Sequence, residues 1–109
     1  MKSELISYAI DFVSFLIQKI KEKSEIKQII LFGSAAREEA NQESDVDIFI
    51  EIIKEEKSLE NEIKKILDNF KESTKYKNYW KPLGIENEIS LKIGQLEKWP
   101  DLKSSIISN

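Results

Sequence analysis

The chain has 109 residues, 40% of them hydrophobic and 34% charged, with a formal net charge of -3. That is enough apolar material for a core, and a single domain over residues 1–109, alone or as part of a longer chain, is the expectation. With no histidine and no cysteine, a Ser-His-Asp hydrolase, a histidine-based zinc centre, a disulfide and a thiolate site are all excluded. The acidic balance argues against general nucleic-acid binding, which calls for a clearly basic chain. No run is long and apolar enough to span a bilayer and the start lacks a secretory pattern, so a cytoplasmic protein is expected.

The spacing predicts an amphipathic helix from Ser3 to about Lys23. Leu5, Ala9, Phe12, Val13, Leu16 and Ile20 recur at steps of three and four, and Tyr8, Phe15 and Ile17 widen the apolar arc. Such a helix packs on a sheet face; its breadth leaves a homo-oligomer or partner face as the alternative. Ile26 to Phe32 reads as a buried strand ending in the apolar run Ile29-Ile30-Leu31-Phe32. The chain breaks at Gly33-Ser34 and enters SAAREEA, rich in helix formers, with Ser34 as the expected N-cap.

After a polar loop over Asn41 to Ser44, Asp45 to about Ile53 alternates as a second strand. Asp45, Asp47 and Phe49 share one face; Val46, Ile48 and Ile50 share the other. A second amphipathic helix follows, with Ser58 as its expected N-cap and Leu59, Ile63, Ile66, Leu67 and Phe70 as its apolar stripe. The stretch Lys75 to Gly84 interleaves aromatics with lysines. Such a stretch stacks on a nucleobase or, as the simpler reading, caps the core edge as a loop. A third strand is expected from Ile85 to Ile93, with Ile85, Asn87, Ile89, Leu91 and Ile93 inward and Glu86, Glu88, Ser90 and Lys92 outward. Beyond it, Pro100 with Asp101 is suited to open a short helix.

The chemistry concentrates between Gly33 and Asp47. Two carboxylates side by side on a strand repel unless a cation bridges them. A hard divalent ion such as magnesium takes oxygen ligands, often one or two carboxylates plus substrate phosphates. Gly33 permits close approach to the backbone, and free N–H groups at a helix start accept phosphate. Together these are the parts that nucleotidyl or phosphoryl transfer requires.

Gly33-Ser34, ten residues, then Asp45-Val46-Asp47 resembles the signature of the DNA polymerase beta type nucleotidyltransferase superfamily, and most of all its minimal nucleotidyltransferase branch. Arg37, the sole arginine, matches the arginine that often stands three residues after the serine. The resemblance implies an α/β fold: a small mixed sheet of three or four strands backed by two long helices, like the polymerase beta palm. It implies Asp45 and Asp47 as metal ligands for one or two magnesium ions, and Gly33, Ser34 and Arg37 as residues binding a nucleoside triphosphate, most simply ATP. A third carboxylate from a later strand completes the metal site in that superfamily and lies near the attacking hydroxyl; Glu88 is the candidate and Glu86 the reserve. The resemblance further implies transfer of a nucleoside monophosphate to a hydroxyl, with a HEPN-type toxin as the protein acceptor of a toxin–antitoxin pair. Two alternatives stand beside the enzyme: a nucleotide- or partner-binding module without turnover, and a metal-free structural domain.

Overall fold

The computed structural model describes residues 2–37, 41 and 43–103, with side chains from residue 4. Helix α1 (Lys2–Lys19) is followed by strand β1 (Ile26–Phe32), the short helical turn α2 (Gly33–Ala36), strand β2 (Val46–Ile52), helix α3 (Lys57–Lys71) and strand β3 (Ile89–Gly94). The three strands form one sheet in the order β1-β2-β3. β1 runs antiparallel to β2, and β2 runs parallel to β3. The result is the mixed α/β sheet backed by two helices that the sequence predicts.

The two amphipathic helices bury their stripes on one face of the sheet. Leu5, Tyr8, Phe12 and Leu16 of α1 and Ile63, Ile66 and Phe70 of α3 pack with Val46, Ile48, Ile50 and Ile52 of β2. Burying a side chain of this size contributes about 1.5–3 kcal/mol, so the central strand and its helices carry most of the hydrophobic stabilisation. On the opposite face, Phe49 is fully buried and meets the Trp99 ring edge-on at 5.8 Å. Glu51 lies on that face too. It accepts from Gln28 Nε2 at 2.6 Å and from the Leu96 main-chain N–H at 2.9 Å. Burial pushes the Glu51 carboxyl up, but these hydrogen bonds and the nearby Lys27 and Lys103 more than offset it, so its pKa lies below the ordinary value. Trp99 and Leu96, beyond β3, thus meet Phe49 and Glu51 on that face.

Three local expectations are corrected. Ser58 does not cap α3: the helix starts at Lys57, Glu56 holds the cap position, and no side chain bonds there. The third strand is shorter than its alternation suggests: its register with β2 begins at Ile89, and residues 85–88 lead into it, with the Glu88 carbonyl accepting from Val46 N. The stretch Tyr76 to Gly84, expected as a loop, opens with a π-helical turn over Tyr76–Trp80. Within it Trp80 is buried, donating from Nε1 to Asp11 Oδ2 at 2.7 Å, while Lys75 pairs with Asp11 Oδ1 at 3.0 Å. Trp80 and Tyr76 meet the Tyr8 ring, so the aromatics here close the core edge, leaving Tyr79 half exposed. The helical turn at Pro100 is found, opening with Lys103 N donating to Trp99 O.

Candidate active site

The antiparallel pairing of β1 and β2 makes Phe32 and Asp47 register partners. The turn that follows Phe32 therefore folds back over the start of β2. Gly33 has φ 74°, in the left-handed region where other residues are strained. A Cβ at this position would overlap Asp47 Oδ2 and stand 3.2 Å from Asp47 Cγ and 3.4 Å from its Cβ. The absent side chain is what allows the Asp47 carboxylate to rest against the main chain of the turn.

Ser34 is not the N-cap. Phe32 occupies that position with extended backbone and no side-chain cap bond, and α2 begins at Gly33. The left-handed glycine turns the chain one residue earlier than propensity suggests, so Ser34 sits inside the first turn, half-buried. Arg37 closes the turn, its N–H donating to Gly33 O at 3.2 Å. The remainder of the expected SAAREEA helix, residues 38–40, lies outside the described residues.

Asp45 stands exposed just before β2, and Asp47 is half-buried within it. Burial first, and then the Asp45 carboxylate, push the Asp47 carboxyl above its ordinary range; Lys92 and Arg37 pull against this without cancelling it. Asp45 is thus a like-charge neighbour of Asp47, and Lys92 and Arg37 are the cations that oppose it. Lys92 is a site residue that the sequence reading passes over. Parallel pairing sets Ser90 level with Asp47 and Lys92 level with Phe49, so both lie on the Asp47 face. The alternation of the third strand already places them outward; their alignment with Asp47 is a matter of register.

Glu88 is placed differently. Its main-chain carbonyl accepts from Val46 N at 2.8 Å, while its carboxylate takes Lys71 Nζ at 3.3 Å and is 64% exposed. Glu86 is exposed as well. Among the described residues, no three acidic side chains gather as a group able to hold a metal. The structure brings Gly33, Asp45 and Asp47 together, with Arg37 and Lys92 acting on them, and does not add Glu86 or Glu88 as a third ligand. The donor set still suits magnesium: two hard carboxylates, Asp47 in the central strand and Asp45 just before it, match an ion that takes its other ligands from water and phosphate.

Asn87 is the other residue whose role the sequence conceals. It falls on the inward face, and its side chain is buried among apolar neighbours, with 6% of its surface exposed. A polar residue at an apolar position was the available signal.

No described helix is long and apolar enough to cross a membrane. No solved structure matches the chain. Two proteins of Methanocaldococcus jannaschii, each bearing the name "Putative protein adenylyltransferase", are 53% identical to it over 32 residues, covering 29% of this chain and 33% and 32% of theirs. A third of the same name and organism is 50% identical over 32 residues. The chain thus spans about a third of the length of the curated relatives it matches. The family model described as nucleotidyltransferase domain matches residues 13–107. Because that match runs from the middle of α1 to beyond β3, taking in the glycine turn and both aspartates, the chain belongs to the nucleotidyltransferase domain family.

Proposed function

We propose that this domain transfers the nucleoside monophosphate of a magnesium-bound nucleoside triphosphate, ATP in this reading, to a hydroxyl on a protein acceptor in the cytoplasm. One observation carries the proposal: the Asp47 carboxylate is seated against the Gly33 main chain, beside Asp45. Asp45 and Asp47 hold the magnesium, and the Gly33-Ser34 turn offers its backbone to the terminal phosphates. Arg37 and Lys92 supply positive charge on the same face. Bound there, one or two magnesium ions would supply positive charge to the phosphates and to the attacking and leaving oxygens.

In the reaction the acceptor oxygen bonds to the α-phosphorus. The bond from that phosphorus to its bridging oxygen breaks, and pyrophosphate leaves with the electron pair. The acceptor proton passes to a base. Glu88 is the residue we assign to that task, and it must exchange Lys71 for the acceptor hydroxyl to perform it. A protein acceptor is supported by the printed names of the relatives, and the motif resemblance adds a small helical HEPN-type partner.

The test uses ATP labelled at the α- or the γ-phosphate, magnesium, and the domain co-purified with a HEPN-type protein. Transfer of the α label alone to the acceptor is expected. Absence of any magnesium-dependent nucleotide binding overturns the reading. The pairing of Glu88 with Lys71, together with the lack of a three-carboxylate group among the described residues, favours a second reading. In it the domain binds nucleotide or partner without turnover, and tight binding with no transfer would distinguish it.

A further inference from the structure

Asp47 and Asp45 are held in different ways. Asp47 lies within the β2 ladder, flanked by Phe32 of β1 and Ser90 of β3. Asp45 precedes the strand and follows a turn whose described residues are Asn41, Glu43 and Ser44. Two carboxylates one residue apart, at Asp45 and Asp47, repel each other. Something must keep Asp45 from relaxing away.

Asn87 meets that need. Its side chain is nearly sealed from solvent, and its Nδ2 donates to Asn41 O at 3.1 Å and Ser44 O at 2.7 Å, the two ends of the turn that delivers Asp45. The turn is internally tied as well: Ser44 N donates to Asn41 O, Glu43 N to Asn41 Oδ1, and Asn41 N to Ser44 Oγ. Asn87 thus bonds to a segment whose described residues are already tied to one another. Asn87 is itself anchored, because Tyr8 of α1 donates its hydroxyl to Asn87 O at 3.2 Å and the following residue bonds to Val46. Both protons of a buried amide are therefore spent on one turn. Apolar residues would fill the same volume without the cost of burying a polar group.

We propose that Asn87 is a positioning residue that holds Asp45 beside Asp47 against their mutual repulsion and so preforms the cation site. This rests on the reading of Asp45 and Asp47 as cation ligands. Partners of this kind around a metal site typically account for about 10–100-fold in metal affinity.

The test is Mn2+ binding, read by electron paramagnetic resonance on the free protein, for wild type, Asn87→Ala, Asp45→Asn and the double variant. Asn87→Ala is expected to weaken Mn2+ binding about tenfold, and to add no further loss in the Asp45→Asn background, since it acts through Asp45. Should Asn87→Ala not fold, Asn87→Ser, which keeps a small polar group there, is carried through the same cycle. Unchanged Mn2+ affinity in the folded Asn87 variant, or the same loss with and without Asp45, overturns the inference alone. Failure of wild type to bind Mn2+, or no loss in Asp45→Asn, overturns the cation-ligand reading and this inference with it.

Discussion

Gly33→Ala tests the central contact most directly. The substitution does two separate things. It places a Cβ on a residue with φ 74°, which costs about 1–2 kcal/mol for a left-handed conformation. It also drives that Cβ into Asp47, overlapping Oδ2 and standing 3.2 Å from Cγ. The Asp47 Cβ, at 3.4 Å, belongs to a central strand paired on both sides and cannot withdraw. Forcing a methyl into such packing costs about 1–3 kcal/mol. Gly84 separates the two effects: its φ is 80°, yet nothing lies within 4 Å of a Cβ built there. Gly84→Ala therefore carries the strain alone, and the reduced freedom of the unfolded chain offsets both variants alike. Urea denaturation should place Gly33→Ala below Gly84→Ala by about 1–3 kcal/mol. Titration with a fluorescent ATP analogue and magnesium should show binding lost in the first variant and kept in the second. Equal stabilities with binding intact in both would refute the argument that the glycine exists to admit the Asp47 carboxylate.

Asp47→Asn should abolish magnesium-dependent nucleotide binding while leaving stability equal or higher, because it removes repulsion from Asp45. The raised carboxyl gives this a pH signature. The penalty is fully present above its folded pKa and disappears as pH falls to the ordinary aspartate range, so any gain from Asp47→Asn should shrink on acidification in urea melts. A large loss of stability instead would mark Asp47 as structural. Glu51→Gln has the opposite sign. It leaves the Leu96 N–H facing an amide where a carboxylate accepted it, for a cost of about 1–3 kcal/mol. Since the Glu51 pKa is lowered, that cost is present above the ordinary glutamate range and is lost as pH falls through the folded value. Glu88→Gln should change stability by less than about 1 kcal/mol, since the pair it breaks is solvent-exposed. It should slow label transfer by about 10²–10⁴ while ATP binding persists; unchanged transfer would reduce Glu88 to a partner of Lys71.

What the sequence determined by itself was everything that depends on a period within one segment. The three- and four-residue steps of Leu5 to Ile20 and Leu59 to Phe70 exist because a helix must turn a continuous stripe to the core, and the alternation at Val46, Ile48 and Ile50 exists because a strand must do the same every second residue. The expectation of both aspartates on one strand face follows from the same rule, and in the structure Asp47 lies in β2 while Asp45 stands just before it. Only the tertiary structure decided relations between segments. That Gly33 admits the Asp47 carboxylate depends on β1 and β2 pairing so that the turn lies against the start of β2. Whether Lys92 stands beside Asp47 depends on the parallel register of β3. Whether Glu88 serves the metal or Lys71 depends on where α3 ends, and whether Asn87 is a core misfit or a staple depends on a turn more than forty positions earlier in the chain. Period is set by backbone geometry and repeats along the chain; register and pairing are set by the summed packing of residues far apart in it, which no local pattern encodes.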